Sequence, residues 1–157
     1  MQVELILPGK PHLAFAIEGI ALYKTRLNPL LGFKEHALGF PKSFGKLAAE
    51  ERKEKEGDAF SKQLKTGWCP IRLDETGKSY CSQDFAKQLE HWHLKGGKGV
   101  QFFLGGPDGF SSKFKREVPE AVALSSMTFP HDLAHLVFME QLYRAATLWR
   151  GHPYHRN

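Results

Sequence analysis

An apolar run at residues 100–104, Val-Gln-Phe-Phe-Leu, opens directly into Gly105-Gly106-Pro107-Asp108-Gly109. This junction constrains the fold more than any other part of the chain. A run with one polar member has no alternation between a wet and a dry face. It therefore reads as a strand covered on both sides, the condition of a parallel sheet. Three glycines and a proline then bar its continuation, because glycine admits positive φ while proline fixes φ and removes a donor. Such a turn brings main-chain N–H and C=O groups close to whatever lies beyond the strand.

The flanking segments complete an α/β pattern. Residues 3–7 read as a short strand ended by Pro8-Gly9, and further strands are expected near 36–40, at 70–74 and at 121–124. Leu13, Ile17, Ile20 and Leu27 fall at roughly helical spacing before Asn28-Pro29. Residues 47–64 form a highly charged helix in which Gly57 is a soft spot, and Thr76-Gly77-Lys78 reads as a turn. Ser82 is the expected N-cap of a helix with Asp84 in its first turn, where the dipole favours an anion. Phe85, Leu89 and Trp92 share one face of that helix, and Gly96-Gly97-Lys98-Gly99 ends it. Residues 110–117 and 131–150 are the remaining helices, with Pro130 opening the last one at its first turn.

The 157 residues are expected to form one domain, 1–157, with 41% hydrophobic and 25% charged residues as in ordinary globular chains. No apolar run reaches the ~18–20 residues that span a bilayer. The N-terminus lacks the basic region of a signal peptide. A cytoplasmic location without membrane attachment is the expectation, with Cys69 and Cys81 as reduced thiols outside any CxxC spacing. The net charge of +5 and pI of about 9.2 suit a polyanionic partner. The charged segment after Pro41 reads first as a solvated helix face. The alternative is that Lys42, Lys46, Arg52 and Lys53 help hold RNA.

Ligands of open α/β sheets bind beyond the carboxyl ends of the strands. Three suspicious loops fall there: Leu73 onward, residues 105–109, and Ser125-Ser126-Met127-Thr128-Phe129-Pro130-His131. A glycine-rich main-chain pocket of this kind suits a phosphate, a carboxylate or an adenine edge. No GxGxxG or GxxxxGK[ST] fingerprint is present. His131 and His135 stand at i, i+4, but no HExxH motif or suitably spaced cysteine completes a zinc set, so no metal is expected. Glu140 and Arg144, also at i, i+4 with the acid first, form either a surface ion pair or a half-buried pair at a helix-packed interface.

The glycine–proline turn, the segment at 124–131 and the closing His152-Pro153-Tyr154-His155-Arg156-Asn157, in this order and spacing, resemble one family. It is the SPOUT-type ribosomal RNA large subunit methyltransferase H family, the bacterial pseudouridine N3-methyltransferases. The resemblance is close from Arg72 to the C-terminus and looser before it. It implies a parallel sheet with helices on both faces and a C-terminal trefoil knot, an exception to unknotted chains. It also implies S-adenosyl-L-methionine as cofactor, held by Leu73, Gly105, Gly106, Ser125, Ser126, Met127, Thr128, Phe129 and Pro130. The implied activity is methylation of N3 of a pseudouridine in helix 69 of 23S rRNA, within the assembled 70S ribosome, by a homodimer.

The same resemblance makes Tyr154, His155, Arg156 and Arg144 the substrate-side residues. His155 is the candidate base, and Arg156 or Arg144 the candidate stabiliser of the N3 anion. Aromatic, imidazole and guanidinium groups together suit base stacking and phosphate pairing. The competing expectation is a non-catalytic ribosome-binding or assembly protein that keeps the pocket as a fold element.

Overall fold

The computed structural model describes residues 1–151 and Tyr154. Five strands form one sheet in the order β2-β1-β4-β3-β5. They are β1 Gln2–Leu7, β2 Gly32–Ala37, β3 Trp68–Ser79, β4 Gly99–Leu104 and β5 Ala121–Ala123. All four strand pairings are parallel. β4 lies between β1 and β3 and is buried at all six positions, which is why its sequence shows no alternation. Its single polar residue is satisfied. Gln101 donates to Glu4 Oε2 at 3.1 Å and to the Gln63 carbonyl at 2.9 Å, and accepts from the Lys65 amide at 3.1 Å.

Alternate residues of β1 and β4 feed two cores, as the pleat requires. Leu5 and Phe102 join the larger core, which holds residues of α1 (Ala14–Leu27), α3 (Ser82–Gly96) and α5 (His131–Trp149). Ile6 and Phe103 join the smaller, where Phe60 of α2 (Ala49–Ser61) and Phe114 of α4 (Ser112–Glu117) pack. Helices thus cover both faces of the sheet, as expected. Each fully buried Phe or Leu in these cores contributes about 1.5–3 kcal/mol of transfer free energy.

Several local expectations are corrected. The second strand begins at Gly32, not near His36, because it pairs in register with β1 from Gln2 onward. Thr76-Gly77-Lys78 is not a terminating turn but lies within β3. Val122 is in register with both Leu73 and Lys78, so residues 74–77 bulge between them. A Cβ at Gly77 would lie 2.5 Å from both the Ala121 carbonyl carbon and the Val122 nitrogen. That glycine serves a close backbone approach.

Cys81, not Ser82, caps α3, its sulfur accepting from the Asp84 amide at 3.5 Å. The Ser82 hydroxyl instead donates to Gln141 Oε1 at 2.8 Å and ties α3 to α5. Pro130 is the N-cap of α5 and His131 its first residue. On α1 the buried face consists of Ala16, Ile20 and Leu27. Leu13 and Ile17 are each 46% exposed, beside Phe15 at 56% and Leu22 at 48%. The start of α1 is capped from α5, since Asp132 Oδ2 accepts from the His12 and Leu13 amides at 2.7 and 2.8 Å. No helix among the described residues is long and apolar enough to cross a membrane.

Candidate functional site

The chain leaves the carboxyl ends of β3, β4 and β5 in three segments that enclose a cavity of about 370 Å³. That is within the usual range for small-ligand pockets. Leu73, Leu104 and Phe129 give it apolar walls. Asp74, Glu75 and Asp108 bring carboxylates to it, and Lys53, Lys115 and His131 bring basic side chains. Of the residues expected at a cofactor, Leu73, Gly105, Gly106, Ser125, Met127, Thr128 and Phe129 line this cavity. Ser126 and Pro130 belong to the same loop but are not part of the lining.

Hydrogen bonds between the loops set the cavity's shape. Thr128 Oγ1 donates to Glu75 Oε2 at 2.8 Å, joining the segment after β5 to the β3 bulge. Ser125 Oγ accepts from the Met127 amide at 2.9 Å and closes a small turn. Met127 itself is 73% exposed, so its side chain contributes little to the wall. The Gly109 amide donates to the Gly106 carbonyl at 3.0 Å, and Gly109 has φ of +73°. Only glycine adopts that conformation without strain.

The charged groups are arranged in pairs. The Arg72 guanidinium is buried, donates through Nε to the Val118 carbonyl at 2.7 Å and pairs with Asp74. Burial raises the Asp74 carboxyl. The Thr76 amide and hydroxyl, with Lys115 and Arg72, outweigh that and hold it below its ordinary range. His131 is shifted the other way: burial lowers its imidazole, and the bond to Asp132 offsets this only in part. It therefore presents a neutral ring to the cavity at neutral pH.

Sequence reasoning missed the acid nearest the glycine turn. Glu56 on α2 is 6% exposed, and its Oε1 accepts from the Gly106 amide at 2.7 Å. Burial pushes the carboxyl up to about 7. The Gly106 hydrogen bond and Arg52 oppose the rise, and the Asp108 charge adds to it. One turn earlier Arg52 forks onto Asp108, Nε to Oδ2 at 2.5 Å and Nη2 to Oδ1 at 2.9 Å. A sequence signal existed in Phe60, the apolar anchor of this charged helix, which places Glu56 four residues earlier on the same buried face. Charge composition hid it.

Gly57 is likewise no soft spot, since a Cβ there would lie 2.4 Å from Ser111 Oγ. Of the four cations suggested for RNA, Arg52 and Lys53 turn inward, Lys53 lining the cavity and pairing with Glu50 at 2.6 Å. Lys42 and Lys46 are exposed on the short 3-10 turn Lys42–Lys46.

The expected substrate-side residues form a separate cluster. Arg144 donates to Glu140 Oε1 through Nε at 3.1 Å and Nη2 at 2.5 Å, and its guanidinium lies 5.0 Å from the Tyr154 ring centroid. The pair is half-buried, in a helix-packed setting. Tyr154 packs edge-on against Tyr143 with centroids 4.7 Å apart, and its hydroxyl donates to Glu140 at 3.3 Å. Burial first, then Tyr23 and Glu140, raise the Tyr154 phenol well above its ordinary value, so it stays protonated at neutral pH. Arg144 lies thirteen residues beyond His131 on α5, about 20 Å along the helix axis. Neither Arg144 nor Tyr154 lines the cavity of its own chain. His155 and Arg156 lie outside the described residues.

His131 and His135 are not brought together on one ion. His131 Nδ1 is 3.4 Å from Asp132 Oδ1, and His135 Nε2 is 3.0 Å from Glu35 Oε2. Among the described residues no three His, Cys, Asp or Glu side chains group to hold a metal.

Comparisons with known proteins agree with this architecture. The family described as "Predicted SPOUT methyltransferase" matches residues 1–155. A Parabacteroides distasonis protein named ribosomal RNA large subunit methyltransferase H is 37% identical over 155 residues, covering 99% of each chain. Proteins of the same name from Bacteroides fragilis and Syntrophomonas wolfei are 36% and 32% identical, with 99% of this chain covered in both cases and 99% and 100% of theirs. A match of this extent, over a parallel sheet whose three carboxyl-end loops build one cavity, fixes the lineage: the chain belongs to the SPOUT methyltransferase family.

Proposed function

We propose that this protein is an S-adenosylmethionine-dependent methyltransferase acting on large-subunit ribosomal RNA, with N3 of a pseudouridine in helix 69 of 23S rRNA as its target. The carrying observation is that the loops expected from sequence to hold a cofactor enclose one cavity, in a chain matched end to end by relatives named for this activity. The cavity fits the cofactor. Leu73, Leu104 and Phe129 suit the faces of an adenine, and the main chain of the turn 105–109 with the Glu75 carboxylate offers polar contacts to the rest of the molecule. The bound cofactor supplies an electrophilic methyl group.

This chain's residues would hold the cofactor through Leu73, Gly105, Gly106 and the loop 125–130, and exclude water with the apolar walls. N3 of the target loses its proton as the methyl arrives. His155 is proposed to accept that proton, with Arg156 or Arg144 stabilising the developing anion. Tyr154 acts as a neutral stacking and hydrogen-bonding group, because its phenol stays protonated. Since Arg144 and Tyr154 lie away from their own cavity, these groups would serve the cavity of a second copy in a homodimer. The exposed Leu13, just before α1, and Phe15, Ile17 and Leu22 on it support such an assembly. A knotted C-terminal region is part of this reading on the strength of the family match. We place this single catalytic domain in the cytoplasm, on the assembled 70S ribosome.

The test is transfer of labelled methyl from S-adenosylmethionine to ribosomes lacking this modification, supplied as 70S particles and as free subunits. Label mapped to a helix 69 pseudouridine, and stronger with 70S, is the expected result. His155→Ala should abolish transfer while cofactor affinity stays unchanged. Cofactor binding without incorporation would point to another RNA. Neither binding nor incorporation would favour a non-catalytic ribosome-associated protein.

A further inference from the structure

Helix α2 lies behind the glycine turn and touches it at two points one helical turn apart. Glu56 accepts from the Gly106 amide at 2.7 Å, and Arg52 forks onto Asp108 at 2.5 and 2.9 Å. The same guanidinium reaches the Gly45 and Leu47 carbonyls at 3.4 and 3.5 Å, anchoring it to the chain that leads into α2. We propose that Arg52 and Glu56 are positioning residues: they clamp the turn 105–109 from behind and thereby set the affinity of the cavity for its cofactor. The inference rests on reading the cavity as the cofactor pocket.

Three observations carry it. First, Gly106 donates its amide away from the cavity, to a buried acceptor, so the turn's orientation is decided by Glu56. Second, a Cβ at Gly106 would lie 2.7 Å from Glu56 Oε2, so the glycine makes room for this carboxylate. Third, α2 is itself fixed by packing on the buried face that carries Glu56. Gly57 packs against Ser111, and Phe60 is buried against Phe103 and Phe114 with ring centroids 5.6 and 5.5 Å away. A clamp on a fixed helix is stiffer than one on a loop, and pre-organisation lowers the ordering cost of binding. The charged groups facing Glu56 are Asp108 on the turn and Arg52 on its own helix.

The experiment is calorimetric titration of the full chain with S-adenosylhomocysteine, together with methyl-transfer kinetics and thermal unfolding. Arg52→Ala and Glu56→Ala should each weaken binding about tenfold, the equivalent of one charge-assisted hydrogen bond. The loss should appear in KM for the cofactor, with kcat at saturation nearly unchanged. Glu56→Gln, whose amide oxygen can still accept from Gly106, should stay within about threefold of the unaltered protein. Asp58→Asn, which loosens the exposed ion pair from the same helix to Lys113 on α4, should change nothing. If Glu56→Ala fails to fold, Arg52→Ala carries the test, because the Arg52 and Asp108 side chains keep 24% and 21% exposure whereas Glu56 is buried. Affinity unchanged in Arg52→Ala and in every folded Glu56 variant would overturn the clamp. Absence of binding by the unaltered protein would instead overturn the cofactor reading.

Discussion

Glu56 shows how one side chain binds stability to pH. Its folded value of about 7 lies above the ordinary 4.5, so the folded state holds a proton that the unfolded chain releases. Stability from this group is therefore fullest below about pH 4.5, declines as pH rises through about 7, and is level above. The span corresponds to about 3 kcal/mol at most. Glu56→Gln keeps an acceptor for Gly106 and removes the ionisation. Urea unfolding should show the variant gaining on the unaltered protein between pH 5 and pH 8. A difference that does not widen with pH would show that Glu56 titrates normally. The same carboxylate accounts for Gly106, a residue legible in sequence as a turn glycine but not as the neighbour of an acid fifty positions earlier.

At the scale of elements, α2 decides how the glycine turn is presented, and Gly57 decides how closely α2 approaches α4. In an isolated helix Gly57→Ala would gain about 1 kcal/mol from propensity. Here the new Cβ would meet Ser111 Oγ at 2.4 Å, and Ser111 is the N-cap of α4, accepting from the Phe114 amide at 3.2 Å. Gly57→Ala should therefore destabilise the protein by about 1–3 kcal/mol, the usual range for overpacking. Thermal unfolding with a raised midpoint would contradict the packing described. Elements with strong one-dimensional patterns were readable beforehand. The fully buried β4, apolar but for Gln101, and the Phe85, Leu89 and Trp92 stripe of α3 depend only on which side is dry. Gly77 was not, because a turn glycine and a close-approach glycine have the same letter and only the pairing of β3 with β5 separates them.

At the scale of the whole molecule, the groups expected to meet the substrate and the cavity expected to hold the cofactor lie apart in one chain. Arg144 sits about 20 Å along α5 from His131, with the Tyr154 ring 5.0 Å from its guanidinium. Leu13, just before α1, and Phe15, Ile17 and Leu22 on it are exposed, Phe15 the most of the four at 56%. Phe15→Glu should give a monomer in sedimentation equilibrium that still binds S-adenosylhomocysteine yet transfers no methyl group. A dimer of unchanged affinity would place the subunit contact elsewhere, and a fully active monomer would remove the need for a second copy.

The sequence by itself determined the α/β class, the three carboxyl-end loops and most of the cavity lining. These follow from local physics: apolar runs that must be covered, and glycines and prolines that forbid other backbones. Tertiary structure alone decided that Glu56 and Arg52 stand behind the glycine turn, that Asp132 caps α1 from α5, and that Leu13 and Ile17 face outward. Each is a contact between residues roughly fifty or more positions apart, or the absence of one. Its energy depends on burial and on charge partners that no window along the chain contains.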